Sequence, residues 1–239
     1  MRSLLLVSAD TPARPHAAVR AGADALVVDL THQTEQRTTV DLRGWIAAFR
    51  VAADGRSGAQ IYGSVSGFGK DLVGTELEAL MPVRPDGILL ADTIGGQDLS
   101  RLGAMLAVHE AEHGFEDGST RIIATVSSAR GVLAMGSLAE VSRRLAGIAW
   151  DAEALRADLG ADAVFEAAGT YADPYRTARS MTLFAAAAAK VRAIDTACVG
   201  INGVADQCRT ARRDGFSAKL ALYPTQVPII NAAFAPRPR

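Results

Sequence analysis

Ser3-Leu4-Leu5-Leu6-Val7, followed directly by Ser8-Ala9-Asp10-Thr11-Pro12, is the stretch on which the fold turns. The run is apolar on both faces, as a parallel strand covered on its two sides must be. The polar turn after it has no glycine. A doubly wound nucleotide-binding sheet requires a glycine-rich turn at this point, so that architecture ranks second. Seven further short apolar runs follow, at 25–30, 59–65, 86–91, 121–126, 147–150, 193–199 and 217–223. From Ser3 to Ser217 is 217 − 3 = 214 residues over seven intervals, near 31 each, which matches one strand, one helix and two loops. Helix formers recur at helical spacing over 17–21, 42–53, 77–81, 99–113, 132–145 and 176–191. Eight βα repeats in 239 residues predict an α/β chain of the closed (β/α)8 TIM-barrel type. The barrel is expected to form one domain over 1–235, with 236–239 as a short polar tail.

Composition narrows the class of function. Lys and Arg number 25 against 26 Asp and Glu, a net charge of −1, which leaves no cationic surplus for nucleic acid or an anionic membrane. At 49% hydrophobic and 21% charged, the chain is globular in composition. Two cysteines, Cys198 and Cys208, and an opening whose apolar run is only Leu4 to Val7 argue against a disulfide framework and a secretory leader. A soluble, cytoplasmic protein is the expectation.

In a barrel, chemistry gathers where the strands end, because the loops after them converge on one face. The residues predicted there are Ser8 and Asp10; Asp29, Thr31 and His32; Tyr62, Ser64 and Ser66; Asp92 and Thr93; Ser127, Ser128 and Arg130; Asp151 and Glu153; and Asn202, Tyr223 and Gln226. His109-Glu110-Ala111-Glu112-His113 fits the H-E-x-x-H zinc pattern, but Gly114 stops the helix and no third histidine follows. It reads as histidines at a helix C-terminus, on the face opposite the mouth, with flanking acids in solvent. Gly63 to Lys70 departs from the Walker spacing and reads as a flexible loop. Cys198 reads as a small buried hydrophobe. Lys219 is either a Schiff-base amine or, more ordinarily, the partner of a carboxylate inside the barrel.

Five segments, in order, carry a resemblance. They are Arg2-Ser3-Leu4-Leu5, Gly22-Ala23-Asp24-Ala25-Leu26-Val27-Val28-Asp29-Leu30, Ser128-Ala129-Arg130-Gly131-Val132-Leu133, Ala157-Asp158-Leu159-Gly160, and the stretch from Gly215-Phe216-Ser217-Ala218-Lys219 through Tyr223-Pro224-Thr225-Gln226-Val227-Pro228. Together they resemble the citrate lyase β-subunit-like branch of the HpcH/HpaI aldolase superfamily. The resemblance implies a barrel, often trimeric, that makes or breaks a carbon–carbon bond beside a carboxylate or acyl-CoA thioester. It also implies a magnesium ion held after strands 5 and 6. The two magnesium ligands of the family fall on Ser127 and Ala154, its substrate-clamping arginine on Tyr62, and its strand 4 lysine on Asp92. Its Asp-Leu-Glu-Asp reads Asp29-Leu30-Thr31-His32, while Arg130 and Lys219 remain. A hydroxyl and a methyl offer too little charge for magnesium, so no metal ligand is assigned.

These substitutions shift the mouth toward negative charge. The first expectation is a lyase without magnesium, with Asp29 or His32 carrying the proton, Arg130 ordering the site, and Tyr62, Ser64, Asp92, Ser127, Ser128 and Asp151 contacting substrate. The second is an ordinary family lyase whose magnesium is recruited by Asp92, Asp151 or Glu153. The third is a non-catalytic barrel that binds a ligand or a partner. The expected partners are a small molecule, a CoA thioester among the options, and further copies of the chain, a trimer by resemblance.

Overall fold

The computed structural model describes residues 1–8, 20–30, 59–167, 169–200 and 202–236. Eight parallel strands close on themselves in sequence order: β1 Ser3–Ser8, β2 Ala25–Asp29, β3 Gln60–Val65, β4 Gly87–Leu90, β5 Arg121–Val126, β6 Leu145–Trp150, β7 Arg192–Asp195 and β8 Ala218–Ala221. The predicted barrel is therefore the observed one. Among the described residues the α-helices are α1 Val73–Leu80, α2 Gly96–Glu112, α3 Ala129–Ala134, α4 Ala152–Leu159, α5 Asp173–Ala188, α6 Val204–Asp214 and α7 Val227–Ala233. The helix predicted at 42–53 and most of that at 17–21 lie outside the described residues.

Alternation along each strand splits the apolar residues into two cores. Leu4, Val27, Tyr62, Leu89, Ile123, Ala149, Ile194 and Leu220 fill the lumen. Leu5, Leu26, Ile61, Ile88, Ile122, Ile148 and Ala221 face outward and pack against the helices. Tyr62 fits low in the lumen because its cross-strand neighbour is Gly87. A Cβ on Gly87 would come within 2.3 Å of the Tyr62 ring, so any larger residue there displaces the aromatic.

The 132–145 helix is shorter than predicted. α3 ends at Ala134, a 3-10 turn covers Met135–Leu138, and the chain then leaves helical geometry, with Glu140 at φ 62°. Gly136 and Ser137 supply little helix propensity across this turn. α6 was not anticipated, because its apolar face is only Val204, Cys208 and Ala211 in an otherwise polar segment.

Closure between β8 and β1 is reinforced from below. Arg2 donates from its backbone N and its guanidinium to the Asp24 carboxylate, at 2.7–2.9 Å. Asn231 of α7 accepts from Ser3 Oγ at 2.8 Å and donates to the Gly22 carbonyl at 2.9 Å. One helix thus locks the first strand to the turn before the second.

A second clamp joins α2 to β6. Glu110, 1% exposed, accepts from the Gly118 and Thr120 amides and from Arg144 at 2.7–2.9 Å. Burial by itself raises this carboxyl's pKa, but Arg144 and the two amides outweigh it and hold the pKa at about 2. Because the folded value lies below the unfolded one, the clamp's contribution is complete above about pH 4.5 and is lost as pH falls toward 2. A shift of this size corresponds to on the order of 3 kcal/mol. Glu110→Gln is expected to lose stability of that order at pH 7. Urea unfolding at pH 7, 4 and 2.5 will show the gap between variant and wild type narrowing below pH 4.5.

Candidate functional site

The ladder bonds of the sheet continue past the strand ends and fix the rim of the mouth. Leu30 donates to the Ser64 carbonyl, Ala91 to Val65, Thr93 to Thr125, and Asp151 to Val126, at 2.8–3.4 Å. The exits of β2, β4 and β6 are therefore tied to the ends of β3 and β5 as firmly as the strands themselves.

Two of these exits meet at Asp92 and Ser127. Asp92 sits in the left-handed region, φ 42°, which Asp tolerates better than most residues. The exit of β3 crowds it, since a Cβ on Gly67 would lie 3.0 Å from both the Ala91 carbonyl and the Asp92 Cβ. In this pose Asp92 Oδ1 accepts a hydrogen bond from Ser127 Oγ at 3.0 Å.

Alternation places Asp29 beyond Val27, Ser64 beyond Tyr62, and Thr125 beyond Ile123, all on the lumenal face. Asp29 and Ser64 are direct cross-strand neighbours. Thr125 is 6% exposed, and its hydroxyl has no partner among the described residues. A buried hydroxyl left unpaired costs about 1–3 kcal/mol, so a lumenal ligand oxygen is the natural complement of Thr125. The sequence reading missed it. Its signal was a lone hydroxyl in the otherwise apolar Ile122-Ile123-Ala124-Thr125-Val126 run.

Other predicted residues are engaged in the scaffold. Asp151 caps α4, its Oδ1 accepting from the Glu153 and Ala154 amides at 3.0 and 3.1 Å. Ser128 caps α3, accepting from Gly131 N at 3.4 Å. Glu153 pairs with Arg156 at 3.0 Å. Ser66 is held by Glu76 of α1 through both its amide and its hydroxyl. Thr93 is fully buried. Arg130 is exposed and makes no ion pair among the described residues. His32, Asp10 and Thr31 lie outside the described residues.

Three expectations need correction. Tyr62 is not at the mouth. It is 2% exposed, level with Gly87 at the start of β4, and the charges that act on its hydroxyl are Asp86, Arg121 and Arg192 at the entry ends of their strands. Burial first, then Asp86, raises its pKa above the ordinary phenol value. Gln226 is fully buried and cross-braces the chain, donating to the Cys198 and Gly200 carbonyls and accepting from Leu222 N.

Lys219 is the third. It does pair with a carboxylate, but behind the barrel wall instead of inside it. Ala218 and Leu220 take the lumenal face, so Lys219 points outward and its Nζ donates to Asp195 at 2.8 Å and to the Thr196 carbonyl at 2.6 Å. Asp195, 1% exposed, also accepts from Trp150 Nε1 at 3.0 Å and lies 3.7 Å from Arg179 Nε of α5. Arg179 in turn holds Asp214 at 2.6 Å. Cys198 is buried as expected, and burial pushes the Cys208 thiol up to about 11, which makes it a poor nucleophile.

Among the described residues, the donors at the mouth are a poor match to a hard dication. Ser127 and Ala154 offer a hydroxyl and a methyl, Asp92 already accepts from Ser127, and Asp151 from two amides. Among the described residues, no three His, Cys, Asp or Glu ligand atoms converge within 4.8 Å at this end of the barrel. Nor is any described helix long and apolar enough to cross a membrane.

Comparison with known proteins agrees with this architecture. The family described as HpcH/HpaI aldolase/citrate lyase matches residues 2–224. The chain is 32% identical over 118 residues to the citrate lyase subunit beta-like protein of Mycobacterium tuberculosis, covering 48% of this chain and 43% of that protein. It thus spans less than half the length of that relative. It is 25% identical over 240 residues to the citrate lyase subunit beta of Leuconostoc mesenteroides subsp. cremoris, covering 98% and 77%. The crystal structure of CitE from Mycobacterium tuberculosis in complex with magnesium, acetoacetate and coenzyme A superposes with a TM-score of 0.77 at 25% identity, covering 99% and 81%.

Lys219 faces away from the lumen, so borohydride reduction in the presence of small oxo acids is expected to leave its mass unchanged. Lys219→Met leaves the buried Asp195 carboxylate with only Trp150 and the more distant Arg179, and is expected to cost about 3 kcal/mol, read by chemical denaturation.

Proposed function

The chain belongs to the HpcH/HpaI aldolase/citrate lyase family, and from that premise we propose that its mouth cleaves or forms a carbon–carbon bond in a small oxo or hydroxy acid, or in the matching acyl-CoA thioester. The Thr125 hydroxyl, without a partner among the described residues, carries the reading, because it is buried, lumenal and two residues from the Ser127–Asp92 pair. Thr125 donates to the oxyanion that develops on the substrate. Ser127 stands ready as a second donor once a ligand oxygen competes with Asp92. Asp29 is the base. It takes the proton of a substrate 3-hydroxyl, the C2–C3 bond breaks, and its electron pair moves to the carbonyl oxygen held by Thr125. A proton returned to C2 completes the cleavage. Arg130 supplies the cation for a substrate carboxylate.

The relative solved with magnesium binds its ion in its own site. The hydroxyl of Ser127 and the methyl of Ala154 do not fit that ion, and the proposed steps use none. The expected assembly is a homo-oligomer.

The experiment is turnover of hydroxy- and oxo-acid CoA esters and free acids, with Thr125→Val as the diagnostic variant. Valine removes an unpaired buried hydroxyl, so stability is expected to hold or rise, while kcat/KM falls about 100-fold. Activity is expected to survive EDTA. Loss on EDTA with return on adding magnesium would overturn the metal-free part. Absence of both turnover and ligand-induced stabilisation across the panel would favour the non-catalytic barrel.

A further inference from the structure

On the face opposite the mouth, we infer a binding site for a borderline transition-metal dication, of which Zn2+ is the probe, formed by His109, Glu112 and His113 at the end of α2. One ligand atom from each of the three lies within 4.8 Å of the others. Although α2 is assigned to Glu112, the amide of His113 still donates to the His109 carbonyl at 3.1 Å. Helical spacing therefore persists, and the two imidazoles share a face.

The tautomer of His113 is set by its surroundings. Its Nδ1 lies 2.8 Å from the same carbonyl, so Nδ1 carries the proton and Nε2 presents its lone pair outward. The ring is steadied by Phe115, with centroids 5.6 Å apart. His109 Nδ1 is buried and has no hydrogen-bond partner among the described residues. Its nearest charged neighbour is Glu112 Oε2, at 3.6 Å. That is too long for a hydrogen bond, yet close to the ~3.4 Å edge of a tetrahedron with metal–ligand bonds of about 2.1 Å. Glu112 is exposed, with rotamer freedom to close the remaining gap. Two imidazoles and one carboxylate suit zinc, nickel or copper and disfavour magnesium. The negative end of the α2 dipole adds to the attraction.

The same geometry rules out the protease reading of H-E-x-x-H. Glu110, which that motif would use as base, is buried against Arg144 and the loop amides and cannot face the metal. The ion instead cross-links the last turn of α2, beside the loop whose amides hold Glu110. Its role is structural.

Untagged protein titrated with Zn2+ by calorimetry at pH 7.5 is expected to take up one equivalent with micromolar affinity and to gain a few degrees in melting temperature. Millimolar Mg2+ is expected not to displace the zinc. His113→Gln changes an exposed side chain, and its fold can be verified by circular dichroism. It is expected to weaken binding at least about tenfold, and Glu112→Gln by a smaller factor. The Co2+-loaded wild type is expected to show visible d–d bands that His113→Gln loses. The chain has two other histidines, His16 and His32. Equal zinc affinity in wild type and His113→Gln would assign the ion to them and overturn the site, as would binding no tighter than millimolar.

Discussion

In a closed parallel wall every strand bonds to two neighbours, and closure rests on β8 finding β1, the pair most distant in sequence. Such a contact carries the largest loop-closure cost in the fold, so local interactions must secure it. Arg2 and Asp24 hold the base of β1 to the approach of β2, while Asn231 reaches from the last described helix to both. Once the ring is shut, each strand gives one face to the lumen and one to the helices. The positions free for chemistry are then few: the last inward residue of each strand and the one or two that follow it.

This constraint explains which parts of the architecture could be read from the chain. The strands announced themselves because both of their faces are covered and the runs are apolar throughout. For the same reason their phase was illegible. Nothing in Leu4-Leu5-Leu6-Val7 says which leucines face inward. Tyr62 and Lys219 were misplaced on this account. Height along the strand, set by register with Gly87, puts Tyr62 below the chemistry. Lys219 faces outward because Asp195 and Arg179 await it there, and the arginine comes from a helix some forty residues away. The hydroxyl of Thr125 was passed over because a single threonine in a strand is ordinary until its neighbours are known to offer it nothing.

The hydroxyl of Ser127 sets the hydrogen bonding at the exit of β5. A carboxylate at the exit of β5 can only accept hydrogen bonds, whereas a hydroxyl can donate, and here it donates to Asp92. The carboxylate at this part of the rim belongs to the neighbouring strand, on a residue whose left-handed backbone is crowded by the exit of β3. Behind the wall, the Lys219–Asp195–Arg179–Asp214 chain joins β7 and β8 to α5 and α6. These ion pairs brace that half of the barrel from its outer side.

The aromatic ring lodged against Gly87 acts as a stopper. Tyr62, 2% exposed, fills the lower lumen, and the strand-exit residues lie in the tier above it. Substitutions in the upper tier are therefore expected to leave the packing of the lower one in place. A lineage built this way can diversify its chemistry while its foundation stays fixed.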